Sequence, residues 1–527
     1  MWQRPETVRD CLARNIADFR DREAKVAVSY ISGEYTHPTW RDVDEASDRV
    51  AAGLTELGVQ KGQKVACMLA NHMESYYSYL GIHKIGAVFV PINIRLSSRE
   101  VEYIVDNADA DHFIANSGAL PLVEQVRDRL RVRNYLCLHR TGEDLPDWCI
   151  SLNELLEKPG RPPAVDIGPH DTADIIYTSG TTGLPKGVVL TQENKVACGR
   201  MWSSALMMYR TRYGVIRFQN CFPFFTSSGC STNMMIWLYT GNVQILEESF
   251  DVVNALELIQ REKSTLYGGA PAMYSFILNH PRFKEFDTSS LRVLVSGAAA
   301  MPAELIRQIQ TVWPGIKVYA TYGLTEGGTG GTILDASDAV RKLGSVGFPM
   351  MPEQEMRVVD MDGNDVKPRE IGEIVLKGPN VMKEYYKNPK ATAETLKDEW
   401  LYSGDTGYYD EEGYLYFMDR MKDMIVRGGF NIYSVEVENV LYEHPAVKQC
   451  AVLAKPHPQL GEDVLAFVVC KDGATVTAQE LRDFTKDKLA DYKQPRDIRF
   501  LDALPINPTG KADKKALRAE HLGPAAK

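Results

Sequence analysis

Ile175-Ile176-Tyr177-Thr178-Ser179-Gly180-Thr181-Thr182-Gly183-Leu184-Pro185-Lys186-Gly187-Val188-Val189-Leu190 is the stretch on which the reading of this chain turns. Its apolar ends read as short buried strands, so the polar middle is a tight connection whose backbone amides can face an anion. Glycines allow close approach and positive φ, the Thr and Ser hydroxyls add donors, and Lys186 adds positive charge. The segment is a polyphosphate cradle. It is not a Walker-type loop: Lys186 follows Pro185 and precedes Gly187, which leaves no hydroxyl after the lysine to hold a metal and no helix N-terminus beneath the phosphates.

Outward from this loop, between about residue 40 and residue 350, strand-like runs alternate with helical patterns. Val65–Leu69, Ala87–Val90, Leu291–Val295 and Val318–Ala320 read as strands, and Ala303 to Val312 as an amphipathic helix. This alternation predicts layered α/β architecture with much parallel sheet. Beyond 350 come short alternating strands with Gly/Asp turns, which predict a β-rich subdomain over about 350–419. From 420 to 527 a compact α+β pattern follows: helix from about Val435 to Glu443, strands Cys450–Leu453 and Val464–Val469, helix from about Ala478 to Leu489, and a basic tail from Lys511 to Arg518. The expected division is 1–419 and 420–527.

The chain of 527 residues carries 60 basic and 70 acidic residues, net −10, so nothing in the balance favours nucleic acid or an anionic membrane. No apolar run reaches the length of a membrane span, and the amino terminus lacks a signal-peptide core. Nine scattered cysteines without a CxxC pair argue against structural zinc and a disulfide framework, and for a reducing cytoplasm.

Four more segments carry chemistry: Tyr322-Gly323-Leu324-Thr325-Glu326, Tyr402-Ser403-Gly404-Asp405, Asp419-Arg420-Met421-Lys422-Asp423 with Gly428-Gly429, and Pro508-Thr509-Gly510-Lys511. The first follows a strand, where an aromatic face can stack on adenine, a threonine can donate to phosphate and a glutamate can hold magnesium. Asp405 can accept ribose hydroxyls, and Arg420 offers a second contact to the same sugar.

In this order, and over nearly the whole chain, the five segments resemble the adenylate-forming superfamily of acyl-CoA synthetases, firefly-type luciferases and peptide-synthetase adenylation domains. The resemblance implies a large N-terminal region of layered α/β subdomains with a β-rich subdomain, and a small mobile α+β C-terminal domain. It implies ATP, Mg2+ and coenzyme A as reactants, with a carboxylic acid converted to acyl-CoA through an acyl adenylate. Thr178, Ser179, Gly180, Thr181, Thr182, Gly183 and Lys186 would grip the β- and γ-phosphates. Tyr322, Gly323, Thr325 and Glu326 would serve adenine, phosphate and metal, and Gly297, Ala298 and Ala299 the adenine edge. Lys511 would bridge the carboxylate and the α-phosphate. Lys422 would be the hinge of the C-terminal domain, and Gly428 and Gly429 would line the pantetheine path.

The sequence departs from the family's usual residues at Thr226, Gln192, Asp419, Arg427 and Ser434, none of them a catalytic group. Thr226 stands where histidine or an aromatic usually lines the acyl channel. Pocket walls are expected from Phe225, Thr226, Ser227, Met234, Gly268, Gly269 and Ala270; several are small, which leaves room for a medium-chain, branched, alicyclic or aromatic acid. The competing readings are an enzyme loading a carrier protein and a non-enzymatic nucleotide-binding scaffold. Dimers occur among relatives, although no interface signature is visible in the sequence.

Overall fold

The computed structural model describes residues 5–178, 184–208, 214–297, 301, 303–350, 353–421, 423–428, 430–471, 473–486, 488–506 and 512–523. It contains two compact units, one of residues 1–356 and 376–402, the other of 357–375 and 403–527. Among the described residues no helix is long and apolar enough to cross a membrane.

The first unit is built on two large sheets. One has eight strands in the order Glu384–Tyr385, Lys186–Thr191, Thr172–Thr178, Val88–Pro91, Lys64–Met68, Ala110–Asn116, Asn134–Leu138, Cys149–Ser151. From Thr172–Thr178 onward its pairings are parallel, while Lys186–Thr191 and Glu384–Tyr385 join antiparallel. The other sheet has nine strands, with a parallel centre of Lys317–Gly323, Val293–Ser296, Leu266–Gly269, Arg217–Asn220, Val243–Leu246 and Lys25–Val28. Helices Trp40–Glu56, Met73–Lys84, Gln192–Ala205 and Met234–Thr240 contribute to the main core, where Trp40 stacks on Trp237 and Tyr76 and Tyr79 pack against Phe224. Local sequence sets where these helices begin. Thr39 and Thr191 each accept the third helical N–H, and Asp42 and Asn194 bond back to the cap.

In the second unit, residues 403–409 lie beside 372–375 and pair antiparallel with Leu415–Arg420. A further sheet runs Phe430–Ile432, Ile425–Arg427, Gly461–Cys470, Val447–His457, with Asp497–Phe500 parallel to Gly461–Cys470. Along its central strand Val464, Ala466 and Val468 join the core that includes Val437, Leu441 and Leu481, while Leu465, Phe467 and Val469 join Leu517 on the opposite face. Burial of both faces is why this strand reads as a continuous apolar run. The two hairpin strands are longer than the apolar runs suggested. Their ladder continues through Lys455–Asp463, Pro456–Glu462 and His457–Gly461, because backbone pairing needs no apolar side chain.

Glu247, just after the Val243–Leu246 strand, is buried, and burial pushes its carboxyl up to about 7 although Gln219 donates to it at 2.9 Å. A folded value above the unfolded 4.5 means the native state holds its proton longer, so this group costs stability as pH rises from 4.5 to about 7. Glu247→Gln keeps the acceptor for Gln219. It is expected to raise the unfolding temperature by at least about 2 °C at pH 8 and to change it little at pH 4.5, as thermal denaturation at the two pH values would show. A variant equally or less stable at pH 8 would contradict this assignment.

Candidate active site

The phosphate-loop motif is held as a hairpin: Thr172–Thr178 and Lys186–Thr191 pair antiparallel with Thr178 opposite Lys186. Residues 179–183 lie outside the described residues, as do Ala298, Ala299, Lys422, Gly429 and Lys511. At the hairpin's mouth the Thr178 hydroxyl lies 3.4 Å from Glu326 Oε1 and 3.5 Å from the Lys186 carbonyl oxygen. Glu326 belongs to the turn after Lys317–Gly323, so the topology brings a residue 148 positions away to the loop.

A residue that the sequence did not single out completes this corner. The Tyr385 hydroxyl donates to Glu326 Oε1 at 2.9 Å, and the Lys186 ammonium lies 4.3 Å from the centre of the same ring. Tyr385 is only 4% exposed. Its position as an edge residue opposite Val188 is a matter of register, and no local pattern around residue 385 announces it.

Glu326 Oε1 thus takes both side-chain donors, whereas Oε2 takes no hydrogen bond from a described residue. A half-buried carboxylate with one oxygen saturated and one open fits a hard divalent cation.

Thr325 donates to Ser227 Oγ at 2.9 Å, which joins the adenine-and-metal motif to the expected acyl wall. Ser227 opens a π-helix, Ser227–Asn233, that the sequence did not suggest. Thr226 caps it: the Thr226 hydroxyl donates to Pro223 O at 2.7 Å and accepts from Gly229 N at 3.3 Å. Thr226 therefore spends its hydroxyl on local geometry. At Gly229 any Cβ would lie 2.1 Å from the Pro223 carbonyl oxygen, so glycine is required. Phe225, Met234, Gly268, Gly269 and Ala270 are all buried. Gly269 lies opposite Ser296, and Gly297 N donates to Gly269 O at 3.3 Å, so the expected acyl wall and adenine edge share neighbouring strand ends. Tyr322 pairs with Thr332 and Gly323 with Gly331 across the antiparallel edge.

In the second unit Asp405 and Arg420 face each other across a hairpin, with Arg420 Nε 3.6 Å from Asp405 Oδ1. Gly404, at φ +70°, lies within the strand Trp400–Tyr409, and the Ser403 hydroxyl accepts from Asp405 N at 3.1 Å. Gly428, at φ +58°, turns the chain between Ile425–Arg427 and Phe430–Ile432, its N–H bonded to Leu460 O at 2.8 Å.

Four of the departures are tied into hydrogen bonds or ion pairs. Asp419 accepts from Ser434 N at 2.7 Å and Ser434 Oγ at 2.6 Å, the first a bond that proline could not make. Arg427 pairs with Asp463 at 2.7 Å. Gln192 accepts from Val8 N at 3.0 Å and lies 3.1 Å from His83 Nδ1, whose ring in turn meets buried Asp174. The cysteines are free thiols. Burial pushes Cys11 and Cys230 up to about 12, which leaves them poor nucleophiles.

The AMP-binding enzyme family model matches residues 12–386, and the model of the family's C-terminal domain matches residues 436–511. The chain belongs to this family. As an AMP-binding enzyme it is an acid–thiol ligase of the AMP-forming type. Feruloyl-CoA synthase of Amycolatopsis sp is 36% identical over 91% of this chain and 93% of its own length. Long-chain-fatty-acid–CoA ligase FadD13 of Mycobacterium tuberculosis is 34% identical over 92% and 93%. Among solved structures, the anthranilate CoA ligase AuaEII in complex with anthranoyl-AMP superposes with a TM-score of 0.88 at 29% identity, over 98% of each chain.

Proposed function

We propose that this AMP-binding enzyme couples an aromatic or alicyclic carboxylic acid to coenzyme A at the expense of ATP. The convergence of Thr178, Lys186 and Glu326 carries the first half of this reading, since a hydroxyl donor, an ammonium and a half-open carboxylate suit a metal-bound triphosphate. Thr178 and Lys186 bind the β- and γ-phosphates, and Asp405 and Arg420 the ribose. Glu326 would hold a magnesium ion, which would supply charge neutralisation for the departing diphosphate. Lys511 places its ammonium between the acid's carboxylate and the α-phosphate, which offsets anion repulsion as an oxygen–phosphorus bond forms and the bond to diphosphate breaks. The coenzyme A thiol then attacks the acyl carbon and AMP leaves; the adenylate is already electrophilic, so no cysteine is needed. Residues 420–527 act as the lid that turns about Lys422 between the two steps.

The choice of acid rests on the small walls. A Cβ at Gly268 would lie 3.6 Å from the Phe222 ring and 3.8 Å from Asn220 Cβ and the Gln219 carbonyl oxygen, so its absence leaves space beside an aromatic face. Relatives named for ring-bearing acids include feruloyl-CoA synthase, an indoleacetate–CoA ligase and the anthranilate ligase. A library of acids incubated with ATP and coenzyme A, read by mass spectrometry for AMP and acyl-CoA, is expected to give turnover with cinnamic, benzoic or indolic acids at least about tenfold above acetate. Turnover confined to acetate and propionate would sink this reading. We place the enzyme in the reducing cytoplasm, in keeping with its free thiols.

A further inference from the structure

We propose that Tyr385 is a positioning residue for the adenylation step, acting as a spacer that keeps Lys186 and Glu326 from neutralising each other; this rests on Glu326 holding the metal. Lys186 and Glu326 carry opposite charges at one corner, and both contact Tyr385, yet no ion pair of 4.0 Å or less joins them among the described residues. The ring lies against the ammonium, and the hydroxyl at its far end donates to the carboxylate. An ammonium on the ring face is held by the π-electrons without being neutralised, so it keeps its charge for a phosphate. A carboxylate oxygen bonded to a neutral phenol likewise keeps its charge for a cation. A direct ion pair would quench both.

The segment that carries Tyr385 is anchored to both motifs it serves. Met382 N donates to Glu326 O at 2.8 Å, and the Asn380 side chain donates to Gly327 O. On the other side Lys383 N donates to Val189 O at 2.9 Å and Tyr386 N to Gly187 O at 2.7 Å. Tyr385 N itself is bonded to Thr392 Oγ1 at 3.0 Å. The side chain is therefore fixed relative to the strand of Lys186 and the turn of Glu326 at once, as precise placement of a reacting triphosphate requires.

Two variants separate the hydroxyl from the ring. Tyr385→Phe keeps the spacer and removes the donor; Tyr385→Leu removes the aromatic face too. Mn2+ binding, followed by electron paramagnetic resonance with α,β-methylene-ATP present, is expected to weaken about tenfold in Tyr385→Phe. Affinity for the metal-free analogue, measured by calorimetry, should stay within about twofold in Tyr385→Phe and fall at least about fivefold in Tyr385→Leu. Thioester formation from a preformed acyl adenylate should stay within about twofold in Tyr385→Phe, which would show an intact fold and an effect confined to the triphosphate step. Wild-type Mn2+ affinity in Tyr385→Phe, alongside loss of that affinity in Glu326→Gln, would overturn the role given to Tyr385. Retained affinity in Glu326→Gln as well would overturn the metal assignment and the proposal with it.

Discussion

Lys511→Ala is expected to slow acyl-adenylate formation by about 10²–10³-fold while leaving thioester formation from a preformed adenylate within about twofold. The asymmetry follows from charge. In the first step a carboxylate approaches an anionic α-phosphate, and removing a preorganised ammonium restores their full repulsion; in the second the thiol attacks a neutral acyl carbon. Two neighbouring cations are already engaged. Lys514 is paired with Glu438 at 2.9 Å and donates to Ser434 Oγ, which in turn donates to Asp419. Burial would lower its pKa, but the Glu438 and Asp419 charges outweigh this and hold it above the ordinary lysine value. Arg518 lies 3.7 Å from Asp423. These contacts anchor the Lys514–Leu522 helix, and Ile506 forms an antiparallel bridge with Ala512. Diphosphate exchange and single-turnover thioesterification would measure the two steps; equal loss in both would contradict the role assigned to Lys511.

Asp405→Ala is expected to behave differently, weakening both half-reactions, because the ribose is present in ATP and in the acyl adenylate alike. The substitution would remove both acceptors proposed for the sugar hydroxyls. Hydrogen bonds to a charged group contribute about 1.5–3 kcal/mol each, so a rise of roughly 10²-fold in the KM for ATP is expected, with adenylate affinity falling in step. Asp405→Asn retains one acceptor oxygen and should fall between. The carboxylate is 6% exposed, follows Gly404 at φ +70° and faces Arg420. Unchanged KM for ATP in Asp405→Ala would remove Asp405 from the ribose site.

Much of this architecture was legible in the chain. The apolar ends of the phosphate loop are strands, Ala303–Val312 is a helix, and the alternation before residue 350 is a pair of largely parallel sheets. Burial and backbone geometry leave a periodic trace in the residues that satisfy them. Thr178, Lys186 and Glu326 were recognisable because each sits in a compact motif. Tyr385 and the π-helix at Ser227–Asn233 were not. The tyrosine acts through strand register against Val188, and the π-helix depends on one close approach between Gly229 and Pro223, neither of which produces a repeat along the sequence.

The basic tail shows the same division. As a string of residues Lys511 to Arg518 is a run of charge. In the folded second unit Lys514 and Arg518 are paired inward with Glu438 and Asp423, while Lys515 is exposed. By itself the sequence determined the family, the acid–thiol ligase chemistry and the two strands that flank the proposed phosphate loop, because those depend on residue type at short spacing. Tertiary structure alone decided that Thr226 caps a helix, that Asp419 binds the Ser434 backbone, and that Tyr385 stands between Lys186 and Glu326. Each of these joins residues through space, and a contact made through space leaves no spacing to read.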